Sequence, residues 1–211
     1  EKLSSIPSDM DFNEYYFAFV EHGKELPIVA QAHSDNGKNW GNVYVMAYDE
    51  NANPCKNPSH AWVIEAFNAD GNPAVGTDAK NWILTCVAEQ NRQFRTEGWS
   101  KVVWQTYSDF GGSKGDNDSN RKLAFVLPEY SDGKGWSLKN VTSGAYIGAW
   151  DNVVENGQEF AANKSESDAA HFDIYRIARA EWMKQYGDLD NATEYAPVNI
   201  SCLINNPSFE R

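Results

Sequence analysis

The chain has 211 residues, of which 23% are charged and 13% aromatic, enough for one comfortable domain plus a short appendage and too aromatic for disorder. Thirty Asp and Glu against eighteen Lys and Arg give a formal net charge of −12. No Lys/Arg cluster interrupts that field, which argues against nucleic acid and anionic membrane surfaces as partners. No apolar run reaches the roughly 18 residues that a membrane span requires.

Residues 1–10 are polar and contain Pro7, the texture of a leader or linker. Glu1-Lys2-Leu3-Ser4-Ser5 lacks the basic-then-apolar profile of a signal peptide, which leaves a cytosolic chain or one whose signal has been removed. From Phe12 to Ile177 short β-rich runs alternate with turn clusters. The runs are 15–20, 43–48, 62–67, 82–87, 102–107, 123–127, 137–141 and 172–175. Asp35-Asn36-Gly37, Asp70-Gly71-Asn72-Pro73 and Asp132-Gly133-Lys134-Gly135 are typical of the turns. No helical crossover separates the runs, so a parallel α/β sheet is not expected.

Three segments open and close alike. One begins at Tyr15-Tyr16-Phe17 and ends at Ala61-Trp62-Val63-Ile64, the second runs from Asn81-Trp82 to Phe125-Val126-Leu127, and the third from Gly135-Trp136 to Phe172-Asp173-Ile174. Each closes on aromatic-x-aliphatic: Trp62-x-Ile64, Phe125-x-Leu127, Phe172-x-Ile174. Alternate strand residues share a face, so each triplet is expected to plant both side chains in one core. Trp62, Trp82 and Trp136 mark this frame and are assigned to the core. The expected architecture is all-β, a β-trefoil of three uneven pseudo-repeats (11–70, 78–130 and 134–177) within a domain spanning 11–177. Surface loops absorb the unequal spacing at little entropic cost.

Beyond the third block, Ala178-Arg179-Ala180-Glu181-Trp182-Met183-Lys184-Gln185-Tyr186 is rich in helix formers and Gly187 stands where a cap belongs. This predicts one short C-terminal helix over 178–187 that docks Trp182 and Tyr186 on the domain. Residues 188–211 read as a linker and the start of a following domain.

The third block, Trp136-Ser137-Leu138 through Ala145-Tyr146-Ile147-Gly148 and on through Ala161-Ala162-Asn163 to His171-Phe172-Asp173-Ile174, resembles ricin-type β-trefoil lectin modules of secreted bacterial polysaccharide-utilisation proteins. The tail Leu203-Ile204-Asn205-Asn206-Pro207-Ser208-Phe209-Glu210 is similar to the opening of a jelly-roll carbohydrate-binding module. The resemblance implies a secreted, periplasmic or cell-surface protein of several modules, and a non-catalytic, monomeric unit that targets it to a glycan or polysaccharide. No block closes on the Gln-x-Trp of ricin-type repeats, so their galactose site does not transfer. Asp151 and Asn163 are the nearest counterparts.

Sugar recognition requires an aromatic face against ring C–H groups, flanked by carboxylates or amides that bond hydroxyls. Trp150-Asp151-Asn152 and Asn39-Trp40-Gly41-Asn42 offer this best. Trp104-Gln105-Thr106-Tyr107-Ser108-Asp109 and Trp99 offer it less directly. The candidate ligand-binding residues are therefore Trp150, Asp151, Asn152, Asn163, Trp40 and Asn42.

No catalytic residues, metal or cofactor are assigned. Thirty acids give carboxylate pairs but no glycosidase signature, and no Gly-x-Ser-x-Gly elbow occurs. His22, His33, His60 and His171 lack zinc spacing, and His171, beside a frame aromatic, reads as structural. Asp49-x-Asn51-x-Asn53 and Asp116-x-Asp118-x-Asn120 start like EF-hand loops, but Pro54 and Arg121 occupy the glycine position. Cys55, Cys86 and Cys202 show no Cys-x-x-Cys spacing, and a Cys55–Cys86 bridge stays open. The competing readings are a structural spacer or protein-binding trefoil without a sugar ligand and, behind both, a glycoside hydrolase or lyase.

Overall fold

A computed structural model of the chain describes residues 1–24, 26–35, 38–45, 61–86, 92–96, 102–106, 125–155 and 158–181, with backbone alone at 29–35, 38–45, 86, 92–96 and 102–106. The strands are β1 (Lys2–Leu3), β2 (Tyr15–Glu21), β3 (Ile28–Asp35), β4 (Lys38–Val45), β5 (Trp62–Phe67), β6 (Asn81–Cys86), β7 (Arg92–Thr96), β8 (Val102–Thr106), β9 (Val126–Ser131), β10 (Gly135–Asn140), β11 (Tyr146–Ala149), β12 (Gln158–Lys164) and β13 (Phe172–Ala178). Single 3-10 turns lie at Phe12–Glu14, Gly76–Asp78 and Glu166–Asp168.

Six strands close on themselves. β2 pairs with β5, β5 with β6, β6 with β9, β9 with β10, β10 with β13, and β13 returns to β2, every pair antiparallel. Closure leaves this ring without a free edge. Three hairpins, β3–β4, β7–β8 and β11–β12, stand off the barrel and are joined through β4–β8 and β4–β12. A closed six-strand barrel carrying three linked hairpins is the strand order of a β-trefoil.

The core follows from alternation. β5 buries Trp62, Ile64 and Ala66 while Val63 and Glu65 are half-exposed. β13 likewise buries Phe172 and Ile174. Trp82 and Trp136 stack obliquely at 6.1 Å inside the same cluster, and Phe160 meets Phe172 at 5.7 Å. The indole N–H of Trp62 donates to the Ile28 carbonyl at 3.3 Å, and that of Trp136 to Leu3 at 2.7 Å.

The middle block departs from its expected face. Val126, paired with Trp82 on β6 and Asn140 on β10, is the residue that enters the core. Because strand side chains alternate, Phe125 and Leu127 on either side of it are only half-buried. Phe125 instead packs with Phe67 and Ile83 in a separate small cluster.

Residues 1–10, read as leader or linker, are built into the domain. Leu3, Met10 and the following Phe12 belong to the main core cluster, and the Phe12 ring meets Trp82 edge-on at 5.6 Å. β1 pairs with β13, and the Gly76 N–H donates to the Met10 carbonyl at 2.8 Å. At the C-terminal side β13 runs through Ala178 and the chain is helical at 179–181. The remainder of the expected 178–187 helix lies outside the described residues, as do 188–211, Cys55, Cys202, Trp99 and both EF-hand-like loops.

Candidate functional site

β11 is buried along its length, and the chain emerges from it at Trp150. The Trp150 N–H donates to the Glu159 carbonyl of β12 at 2.8 Å, and its own carbonyl accepts from Lys164 Nζ at 2.7 Å. The Asn152 N–H then turns back to the Ala149 carbonyl at 3.0 Å. Asn152 sits at φ 59°, in the left-handed region that Asn tolerates better than most residues. On the far side of the loop, the Val154 carbonyl accepts from Lys24 Nζ, and the Val154 side chain packs on the core. The loop is thus braced at both ends. It presents Trp150 at 40% exposure and Val153 at 51%, whereas Trp62, Trp82 and Trp136 are at 5% or less.

Beside this loop lies an open cleft of about 340 Å³. Its walls are the end of β2 (Glu21, His22), the β9–β10 turn (Lys134), Asn152 and Val154 of the loop, and Ser167 to His171 leading into β13. Long-range pairing assembles it: Glu21 lies opposite Phe172, and the His22 N–H donates to the His171 carbonyl at 2.8 Å. The floor depends on Gly148. The Ala170 N–H reaches the Ile147 carbonyl at 3.0 Å, and a Cβ at Gly148 would lie 2.6 Å from the Asp168 carbonyl oxygen.

The polar groups are held in place by their neighbours. His22 Nδ1 is 3.0 Å from Asp173 Oδ1, and Asp173 Oδ2 meets Lys2 Nζ at 2.9 Å. With Nδ1–H directed at the carboxylate, Nε2 is the nitrogen left for a ligand. Glu21 accepts the Lys24 N–H at 2.9 Å, and burial pushes its carboxyl pKa up. Burial, followed by the nearby Lys134 charge, pushes the His171 imidazole down from its ordinary value. Asp168 accepts the Ser165 hydroxyl at 2.9 Å.

Of the residues expected from sequence, Trp150, Asp151 and Asn152 lie together and exposed on the braced loop, and Asn152 reaches the cleft. Asn163 is exposed on β12 next to Lys164. Trp40 and Asn42 lie on another hairpin, opposite His33 and Gln31, and their side chains are outside the described residues. β4 meets β12 at Tyr44↔Glu159, which leaves four residues of strand, roughly 13 Å, between that contact and Trp40. Sequence reasoning missed Glu21, Lys134, Ser167 and Asp168, and it took His171 as structural. These residues are scattered and polar, and the β2–β13 and β10–β13 pairings bring them together.

No family model and no curated protein matches the chain. Among solved structures it is similar to the SDF2-like protein from Arabidopsis thaliana (TM-score 0.51, 8% identity, 78% of this chain and 94% of that one). It is also similar to a Caenorhabditis elegans protein of unknown function (TM-score 0.50, 11% identity, 75% and 92%). A designed threefold symmetric protein, ThreeFoil, aligns at TM-score 0.49 with 12% identity over 75% of this chain and 97% of that one. At these identities the likeness to the first two is one of fold.

Proposed function

We propose that the chain is a non-catalytic glycan-binding module, its three sequence blocks being the three four-strand repeats of the trefoil. The observation that carries this reading is Trp150: an indole 40% exposed on a doubly braced loop whose Asn152 and Val154 wall a cleft that also holds carboxylate, hydroxyl, ammonium and imidazole groups. An aromatic face beside paired donors and acceptors is what a sugar ring requires, with its C–H face against the indole and its hydroxyls toward the polar wall. Preformed geometry keeps the ordering cost of binding low. In this role the module is secreted or displayed at the cell surface and holds an attached partner domain near a polysaccharide, individually weak contacts gaining strength from avidity. The tail resemblance supports that arrangement.

A glycan-array screen of the purified chain, repeated with Trp150→Ala and Trp40→Ala, tests the proposal. The expected result is a hit that Trp150→Ala abolishes while the variant keeps the far-UV circular dichroism spectrum and cooperative melting of the parent chain. Absence of binding across a broad plant, host and microbial panel overturns it. Val153, exposed beside Trp150, gives the loop an apolar tip and favours a protein-binding trefoil as the second reading. A silent array with retained binding to a partner protein would identify that case.

A further inference from the structure

The cleft has an unusual charge inventory. Its lining carries two carboxylates (Glu21, Asp168), one ammonium (Lys134) and two imidazoles (His22, His171). With both imidazoles neutral, Glu21 and Asp168 are balanced by Lys134 and by the Lys24 ammonium on the Val154 carbonyl, and an anion gains little from the lining. Protonated imidazoles leave the two carboxylates outnumbered and turn the lining net positive. Histidine is the side chain that makes this change between about pH 5 and 8. Lys24 on the β2–β3 turn donates its backbone N–H to Glu21 and its Nζ to the Val154 carbonyl, and Asp173 on β13 holds His22 Nδ1 and Lys2. Asp173 is held by Lys2 and His22 and lies outside the cleft lining.

We propose that the cleft binds the carboxylate-bearing unit of an acidic glycan, and binds it more tightly in mild acid than near neutral pH as imidazole protonation adds positive charge to the lining. This rests on the glycan-binding reading and specifies its ligand. Lys134 and the two imidazolium groups take the carboxylate, and Asn152 and Ser167 take hydroxyls. The burial that raises the Glu21 pKa works in the same direction, because that carboxyl loses its charge earlier than an exposed one as pH falls. Binding must also be linked to proton uptake. A carboxylate placed beside His171 opposes the burial and the Lys134 field that keep it neutral, so its titration midpoint rises in the complex.

The test follows the histidine ring signals by NMR at about pH 5 and pH 7.5, the two sides of the imidazole range. Probes are the matched pairs glucuronate and glucose, galacturonate and galactose, and mannuronate and mannose, with acetate as a control. The expected result is that at least one uronate shifts the His22 and His171 signals in acid. Its affinity should be about fivefold or more higher there than at neutral pH, as two weak charge contacts would give. The pH effect should vanish in the double variant His22→Gln/His171→Gln. Lys134→Gln, on an exposed turn, provides a check less exposed to misfolding and should weaken uronate binding in acid by about threefold. No uronate response in acid, equal affinity at both pH values, or a response that acetate alone reproduces would overturn the inference. A neutral sugar bound through Trp150 with silent histidines overturns it and leaves the glycan-binding reading standing. Failure of every glycan removes both.

Discussion

The hydroxyl of Tyr146 donates to Glu129 Oε2 at 2.5 Å, while Lys139 Nζ stands 5.0 Å from the ring centroid. That hydrogen bond and then burial push the phenol pKa up to about 12, so Tyr146 is a tie between β11 and β9 and not an acid or base for chemistry. Tyr146→Phe should cost about 1.5–3 kcal/mol, the usual value for a hydrogen bond to a charged group, measurable by urea denaturation. His171 makes a separate pH prediction. Its folded pKa lies below the ordinary 6.5, so in that window the unfolded chain binds more protons than the native one. The stabilisation it brings is therefore complete above 6.5 and is lost as pH falls through the folded value. The acid-induced drop in Tm should be smaller in His171→Gln than in the parent chain. An equal drop would show that burial of this imidazole contributes nothing to stability.

Among the elements, legibility followed alternation. β5, β6 and β10 were readable because aromatic and aliphatic residues mark their buried face, with Trp62, Trp82 and Trp136 at the expected core positions. β7 (Arg-Gln-Phe-Arg-Thr) and β12 (Gln-Glu-Phe-Ala-Ala-Asn-Lys) have too much polar and small-residue content to announce strands. Pairing in the hairpins makes them strands, a tertiary effect invisible in a local window. The same limit hid the cleft, whose walls are drawn together from residues 21–22, 134, 152–154 and 167–171. The exposed loop was legible in part: Trp150 had no frame position to fill, and Asn152 is a residue type suited to a left-handed turn. The N-terminal segment misled because its two buried anchors, Leu3 and Met10, are spaced among polar residues. Gly76 tests its attachment. A Cβ there would lie 1.9 Å from the Ser8 carbonyl oxygen, and φ is +52°, so neither the space nor the backbone accepts alanine. Gly76→Ala should destabilise by about 2 kcal/mol or more. It should also raise amide exchange in residues 2–12 before the rest of the barrel opens.

At the scale of the whole molecule, the first and last strands of the ring are neighbours. β2 and β13 share seven register pairs from Glu21↔Phe172 to Ala18↔Tyr175 and on to Tyr15↔Ala178. The barrel is therefore closed by the strands most distant in sequence, and its folding waits on a long-range pairing, which slows it relative to local topologies. The same seam sets how the module carries load. Being antiparallel, its pairs meet a pull from the two sides of the domain one at a time, starting at Tyr15↔Ala178, after the short β1 seam at Lys2↔Tyr175 has parted. Tension peels the seam like a zipper and does not shear all seven pairs together. A tether built from this domain should yield at low force in a single-molecule pulling experiment, paying out chain while the Trp150 loop, on the β11–β12 hairpin, is still folded.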